Sequence, residues 1–344
     1  MMRLNVSTLT DRADRPVLHA LAFSPDGQRL FAMTDRELQV YVWPAMEPID
    51  RRAAPSGASR RRAISVDAES GAIAVTHWGM DVVVLSPALD VEARLQLAAA
   101  AFVDPGAQQP ATFPVLSVGI GFERPGVLVV ASGGHIDRAW ITERKVERLL
   151  DYPAFPFEPT VLGRAGLAII AIDGREPLVV DLAQRTHRHF GAWDPVLAGA
   201  ISTMDPDARA CQALLAAGEG DPGSRERRLL EWRAASPAFS SWLAAAAHPT
   251  DGTLAFSNKV GQCAVLRGLG GDGVRRLTEM QPVDPSPTKA PLKRPSRCPV
   301  LAFHPHDGTL ITKNVAGDLC IHDVETGTCT RVVRQRFAEG YDYE

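Results

Sequence analysis

The sequence lacks any continuous apolar stretch of the roughly eighteen residues that a membrane-spanning helix requires. Its first residues, Met1 to Arg12, contain no apolar run long enough for a secretory signal peptide. It also lacks a basic surplus, since 37 Lys and Arg stand against 40 Asp and Glu for a net charge of −3. These absences argue against a membrane protein and against a general nucleic-acid binder. We therefore expect a cytoplasmic protein.

Cysteine is scarce and irregularly spaced. The five cysteines are odd in number and include no Cys-x-x-Cys pair, which favours reduced, mostly buried thiols over a disulfide framework or a zinc site. Common catalytic motifs are also missing: the sequence has no Gly-x-Ser-x-Gly elbow, phosphate-binding loop or His-Glu-x-x-His pattern. The sequence therefore points to no catalytic residue, no metal ligand and no cofactor.

The sequence does contain a repeated pair of apolar segments around a turn. Residues 21–32 and 301–312 match each other, and residues 247–256 are a third copy. In each copy a turn rich in Pro, Asp and Gly separates the two segments. Because proline fixes φ while aspartate and glycine accept turn geometries, the chain reverses there and the flanking segments pair as antiparallel strands. Each copy is predicted to be a β-hairpin.

The same frame fits four weaker copies, which brings the count to seven. The repeats are centred on Phe23, Val66, Phe122, Val161, Met204, Ala247 and Phe303. Their intervals of 39 to 56 residues fit propeller blades of about 40–45 residues, with insertions in the two longest. A third strand of alternating apolar residues follows several hairpins, as at residues 38–43 and 318–322. The pattern predicts an all-β, seven-bladed β-propeller of four-stranded antiparallel blades.

The propeller is predicted to be one domain over residues 1–344. Composition suggests loop insertions at about 49–62, 104–113 and 268–297, and a flexible acidic tail at 338–344. An open ring would leave sheet edges unpaired, and each terminus contains a strand-like segment, residues 3–9 and 328–334. We expect these N- and C-terminal strands to pair in the last blade and close the ring.

The repeats resemble those of the WD-repeat family. That family keeps a tryptophan near the end of the third strand, as at Trp43, Trp140 and Trp232, and an aspartate in the turn before it, as at Asp35, Asp81, Asp137 and Asp318. The family's Gly-His pair is missing from nearly every repeat, and the resemblance spans about residues 15–334. It implies a propeller that serves as an interaction platform. Lactonase-like and TolB-like propellers are neighbouring families to which the chain could also belong.

The candidate binding residues lie on one face of the predicted propeller. Turns between the second and third strands of each blade share this face, called here the rim face, with the connections between blades. Protein-binding surfaces concentrate aromatic residues and arginine. The predicted partner-binding residues are His77, Trp78, Asp81, His135, Asp137, Arg175, Phe155 and Phe157.

The leading functional hypothesis is a non-enzymatic scaffold that binds a partner protein across the rim face. A composition rich in Ala and Arg suggests a bacterium with a GC-rich genome. Bacterial propellers of this kind include some encoded beside MoxR-type ATPases and von Willebrand A-domain proteins, so the resemblance suggests these two classes as partners.

Two other hypotheses remain open. A lactonase-like enzyme would place several carboxylates and histidines around a divalent cation in the central channel. Nucleic-acid binding would require Arg51, Arg52 and Arg60 to Arg62 to form one basic face with other blades. That loop has no aromatic residues on which bases could stack, which argues against nucleic acid as a partner. His304 and His306 are spaced as metal ligands could be, but no third ligand adjoins them in sequence.

Overall fold

The computed structural model describes residues 16–53, 63–77, 81–97, 101–103, 118–132, 134–152, 158–171, 177–195, 213–218, 222–224, 227, 242–258, 263–267, 276–280, 300–314, 317–334 and 337. These residues form six antiparallel sheets, and each sheet is one propeller blade. Helix occurs there only in short pieces such as α1 (Phe190–Trp193). In the same residues no helix has the length and apolar character needed to cross a membrane.

Each blade takes its strands from consecutive segments of the chain. Blades 1 to 3 contain β1 (Leu18–Phe23), β2 (Arg29–Thr34), β3 (Glu37–Val42) and β4 (Glu47–Ala53); β5 (Ile64–Val66), β6 (Ile73–His77), β7 (Asp81–Leu85), β8 (Val91–Gln96) and β9 (Ala101–Val103); and β10 (Val118–Arg124), β11 (Val127–Ser132), β12 (His135–Trp140) and β13 (Lys145–Asp151). Blade 2 is therefore five-stranded, with the short β9 added outside β8.

The remaining blades are four-stranded. Blades 4 to 6 contain β14 (Glu158–Leu162), β15 (Leu167–Ala171), β16 (Leu178–Asp181) and β17 (Thr186–His189); β18 (Trp242–Ala247), β19 (Leu254–Asn258), β20 (Cys263–Arg267) and β21 (Arg276–Glu279); and β22 (Leu301–Phe303), β23 (Thr309–Lys313), β24 (Leu319–Asp323) and β25 (Cys329–Val333). The third strands predicted at residues 38–43 and 318–322 are confirmed as β3 and β24.

The six blades form a closed ring. Their first strands lie innermost and contact one another in chain order, and β22 of blade 6 contacts β1 of blade 1. Each pair of neighbouring blades packs together through one cluster of buried apolar side chains. The described residues therefore contain six such clusters around the ring. Leu18 and Ile311, for example, belong to the cluster between blades 1 and 6. The hydrophobic effect therefore stabilises the ring mainly between its blades.

The prediction of seven blades is wrong because the repeat centred on Met204 is not a blade. β14 of blade 4 contacts β18 of blade 5 directly, and Leu162 shares a buried cluster with Phe256, so no blade stands between them. The described residues 213–218 of this segment form a helical turn, in which Ala217 N–H donates to Ala213 O at 2.9 Å. Alanine and leucine favour helix over strand. The Asp-Pro-Asp sequence at residues 205–207 matched the frame by residue type alone, and residues 196–212 lie outside the described residues.

The predicted closure by pairing of the terminal strands is tested only for its C-terminal part. In the described residues β25 is the outer strand of blade 6 and pairs with β24. In the same residues the ring closes by side-chain packing of blade 6 on blade 1, to which Phe337 contributes a fully buried ring. The N-terminal candidate, residues 3–9, lies outside the described residues. β4 and β21 overlap two of the segments expected as insertions, while residues 104–113 and 338–344 are not described.

Two glycines allow blades 3 and 4 to approach closely at the axis. A Cβ atom on Gly119 would lie 2.3 Å from the carbonyl oxygen of Pro159, and one on Gly121 would lie 2.7 Å from that of Val161. Both neighbours are backbone atoms of β14, which cannot rotate away as a side chain can. The contact between β10 and β14 therefore requires glycine at these positions.

Candidate functional site

Asp81 supports the rim face of blade 2. It begins β7 and is almost completely buried, and its Oδ2 accepts a hydrogen bond from Arg94 Nε at 2.5 Å. Arg94 lies on the neighbouring strand β8. Charge-assisted hydrogen bonds of this kind are about twice as strong as neutral ones. The pair fixes the end of the rim turn between β6 and β7.

Asp137 has the same role in blade 3. Its Oδ1 accepts a hydrogen bond from Arg148 Nε at 2.5 Å, and its Oδ2 lies 3.1 Å from His135 Nε2. Burial by itself would raise the pKa of Asp137, but the hydrogen bonds from His135 and Arg148 and their charges lower that pKa below its ordinary value. His135 is itself only partly exposed. Blades 2 and 3 thus each carry a buried aspartate paired with an arginine of the next strand beneath the rim face.

The remaining predicted rim residues are described only in part. His77 is the last residue of β6, while Trp78, Arg175, Phe155 and Phe157 lie outside the described residues. In blade 1 the corresponding turn aspartate, Asp35, accepts a hydrogen bond from Val17 N–H at 2.8 Å and so fixes the start of β1. Of the predicted site, the structure brings together His135 and Asp137 in one contact.

The opposite face carries the turns between first and second strands, where two histidines link neighbouring blades. His248 Nε2 lies 3.1 Å from the carbonyl oxygen of His304, and His304 Nε2 lies 3.2 Å from that of Gly27. His304 Nδ1 faces Asp307 Oδ1 at 3.1 Å. Both ring nitrogens of His304 therefore face oxygen atoms, and the one from Gly27 joins blade 6 to blade 1. This arrangement explains the repeated His-Pro turn without a bound metal.

A central channel runs between the six innermost strands. It encloses about 290 Å³. The described lining consists mainly of small apolar side chains and backbone, and His19 and Arg164 are the only residues of that lining with ionisable side chains. Arg164 already contacts Glu69 Oε1 at 3.5 Å and the Pro249 carbonyl at 3.3 Å. The carboxylates that a lactonase-like metal site needs are not among these lining residues, so the channel gives that hypothesis no support.

A cluster of two cysteines and a histidine lies in blade 6. The ligand atoms of Cys320, His322 and Cys329 all lie within 4.8 Å of one another. Burial raises the pKa of the Cys320 thiol to about 12, with smaller contributions from Cys329 and Asp318. Burial also lowers the pKa of His322 to about 4. The Cys320 thiol and the His322 ring are therefore both uncharged at neutral pH.

Sequence reasoning missed this cluster because Cys320 and Cys329 are well separated along the chain. Cys320 and His322 alternate on one face of β24, and antiparallel pairing sets Cys329 of β25 directly opposite His322. The spacing Cys-x-His followed by a short hairpin to a third ligand was the available signal. Cys263 is buried elsewhere, on β20 of blade 5.

Comparisons with known proteins give no family for this chain. No family model matches the sequence, and no curated protein matches it. Among solved structures, hydrazine synthase of Kuenenia stuttgartiensis resembles it with a TM-score of 0.49 and 12% sequence identity, over 91% of this chain and 78% of that chain. At that level of similarity no functional inference is drawn from it. The chain is a β-propeller by its own strand order and ring contacts.

Proposed function

We propose that this propeller is a non-enzymatic scaffold that binds a partner protein across its rim face. The observation that carries the proposal is the two ion pairs Asp81–Arg94 and Asp137–Arg148, whose buried aspartates lie beneath adjacent rim turns. A surface whose loops are held before binding loses less conformational entropy when a partner docks, and this favours affinity. Asp81 and Asp137 then position the rim, while neighbouring side chains contact the partner.

The contact residues in this proposal are His77, Trp78, His135, Phe155, Phe157 and Arg175. Aromatic residues and arginine contribute most of the binding energy in typical interfaces. The sparse ionisable lining of the channel supports a binding role over catalysis at the axis. MoxR-type ATPases and von Willebrand A-domain proteins are the partner classes to test first, as the WD-repeat resemblance suggests.

The test is affinity capture from a lysate of the source organism, followed by cross-linking mass spectrometry. The rim variant carries Trp78→Ala and His135→Ala. The control variant is Glu143→Ala, because Glu143 is exposed in the β12–β13 turn on the opposite face of the same blade as His135. We expect the wild type and the control to retain a partner cross-linked near β12, and the rim variant to lose it. Retention of every partner by the rim variant, or cross-links confined to the opposite face, would reject the proposal.

A further inference from the structure

The Cys320, His322 and Cys329 cluster contains polar atoms that the protein leaves unsatisfied. His322 is only 3% exposed, and its Nε2 lies 3.0 Å from Thr312 Oγ1 on β23, while its Nδ1 is buried with no hydrogen-bond partner in the described residues. A buried polar atom without a partner keeps the full cost of having lost its water. Such an atom in a native fold indicates that something other than these protein groups satisfies it.

A second unsatisfied group adjoins the same thiols. The amide of Asn314 lies beside Cys320, and its Nδ2 is buried without a conventional hydrogen-bond partner among the described residues. Its Oδ1 accepts a hydrogen bond from Asp318 N–H at 2.9 Å, which fixes the orientation of the amide. The N–H groups of Asn314 are therefore directed to donate to a sulfur atom that becomes negatively charged.

We propose that Cys320, His322 and Cys329 bind one zinc ion. Two sulfurs and one imidazole nitrogen are a donor set that zinc uses, with Zn–S near about 2.3 Å and Zn–N near about 2.0–2.1 Å. Ligand atoms of a tetrahedral site are then roughly 3.5–4 Å apart, so a cluster already within 4.8 Å needs only a small contraction. Binding Zn²⁺ to two thiolates releases two thiol protons and leaves the site without net charge.

The surrounding residues fit this assignment. A hydrogen bond joins Thr312 Oγ1 to His322 Nε2 and orients the ring so that Nδ1 is available to the metal. Zinc-bound histidines are commonly oriented in this way by a hydrogen bond to their other nitrogen. The described cluster offers three protein ligands, and Cys329 is partly exposed. A water molecule therefore completes the fourth position from the solvent side. The ion would join the outer strand β25 to β24 and stabilise the last blade.

The experiment uses the full-length protein, reduced and freed of metal with a chelator, and titrates it with Co²⁺ as a spectroscopic substitute for zinc. We expect one Co²⁺ per chain, thiolate-to-cobalt charge-transfer absorption, release of two protons per ion, and displacement of Co²⁺ by Zn²⁺. Cys329→Ser is the main variant, since a partly exposed position tolerates the change, and Cys263→Ala is the control cysteine. We expect Cys329→Ser to weaken Co²⁺ binding by more than about 100-fold, and Thr312→Val by about 10- to 100-fold.

Three different results would each overturn the zinc proposal. Absence of thiolate–cobalt absorption in the reduced wild type overturns the proposal. Equal Co²⁺ affinity in the wild type and Cys329→Ser also overturns it, because the ion then binds elsewhere. A Cys320–Cys329 disulfide in the purified protein, with no Co²⁺ uptake after its reduction, overturns it as well. Loss of binding in Cys329→Ser with full retention in Cys263→Ala supports it.

Discussion

The Nε2 atom of His304 lies 3.2 Å from the carbonyl oxygen of Gly27, which precedes it by 277 residues. The bond joins the first turn of blade 6 to the first turn of blade 1. Phe23 and Trp43 of blade 1 contact the same ring, with centroid distances of 4.9 and 6.1 Å. The His304 side chain thus connects blade 6 to blade 1. The boundary between these two blades is called here the seam.

Replacing His304 by alanine is expected to destabilise the protein by about 1–3 kcal/mol, since it removes a buried hydrogen bond and aromatic contacts. Chemical denaturation followed by circular dichroism measures the change in unfolding free energy. His306→Ala is the matched control, because His306 is exposed two residues away, and we expect a change within about 0.5 kcal/mol. Equal effects of the two substitutions would show that the seam does not depend on His304.

Gly121→Ala is expected to cost about 1–3 kcal/mol or more, because the added methyl group would meet backbone atoms of β14. Thermal unfolding would detect this as a lower Tm. Gly308→Ala is the control, since its Cβ would lie 3.4 Å from a Val324 side-chain atom, which is an ordinary van der Waals distance. A Gly121→Ala protein as stable as the control would contradict the close approach of blades 3 and 4.

Asp137→Asn tests the ion pair beneath the rim. The folded pKa of Asp137 lies below the ordinary value of 3.8, so its carboxylate stabilises the fold above that value, and the contribution is lost as the pH falls through the lower, folded pKa. We expect the variant to be less stable than the wild type at pH 7 by about 1–3 kcal/mol.

The difference should shrink as the pH falls below about 4, where the Asp137 carboxyl of the unfolded chain becomes protonated, and continue to shrink down to the lower pKa of the folded state. Denaturation midpoints at several pH values measure it. Asp151→Asn serves as the control, because Asp151 is 77% exposed and also contacts Arg148. A pH-independent difference for Asp137→Asn would contradict an ionised, stabilised Asp137.

The rate of thiol labelling should differ between Cys329 and Cys263. In chelator-treated, native protein we expect iodoacetamide to modify Cys329, which is partly exposed, well before Cys263, which is buried and whose pKa burial raises. Peptide mapping by mass spectrometry at successive times gives the order. Labelling in denaturant should remove the difference. Equal rates of iodoacetamide modification of Cys263 and Cys329 in the native protein would mean that blade 5 opens readily between its neighbours.

The strands with strong turn residues could be predicted from sequence, and the number of blades could not. The hairpins at Phe23 and Phe303 were recognisable because Pro, Asp and Gly fix the reversal and apolar residues flank it on both sides. The copy at Met204 shared the turn residues and the spacing, but its following segment favours helix. A turn motif is local, whereas a blade requires contacts with two neighbours, and those contacts are not visible in sequence.

The candidate sites show the same limit. Asp81 and Asp137 were recognised from their place before or within the third strand, but their partners Arg94 and Arg148 lie on the following strand and were not identified. The Cys320, His322 and Cys329 cluster depends on the pairing of β24 with β25. Residue type predicted which side chains could do chemistry, while antiparallel pairing determined which of them meet.

Each described blade takes its strands from one continuous stretch of the chain. The seam is held by side chains, as are the five other boundaries between blades. Phe337 and Leu18 belong to one cluster, so residues near the two ends of the described chain are spatial neighbours. A circular permutant that joins the present ends and opens the chain at another boundary should therefore reach the same ring.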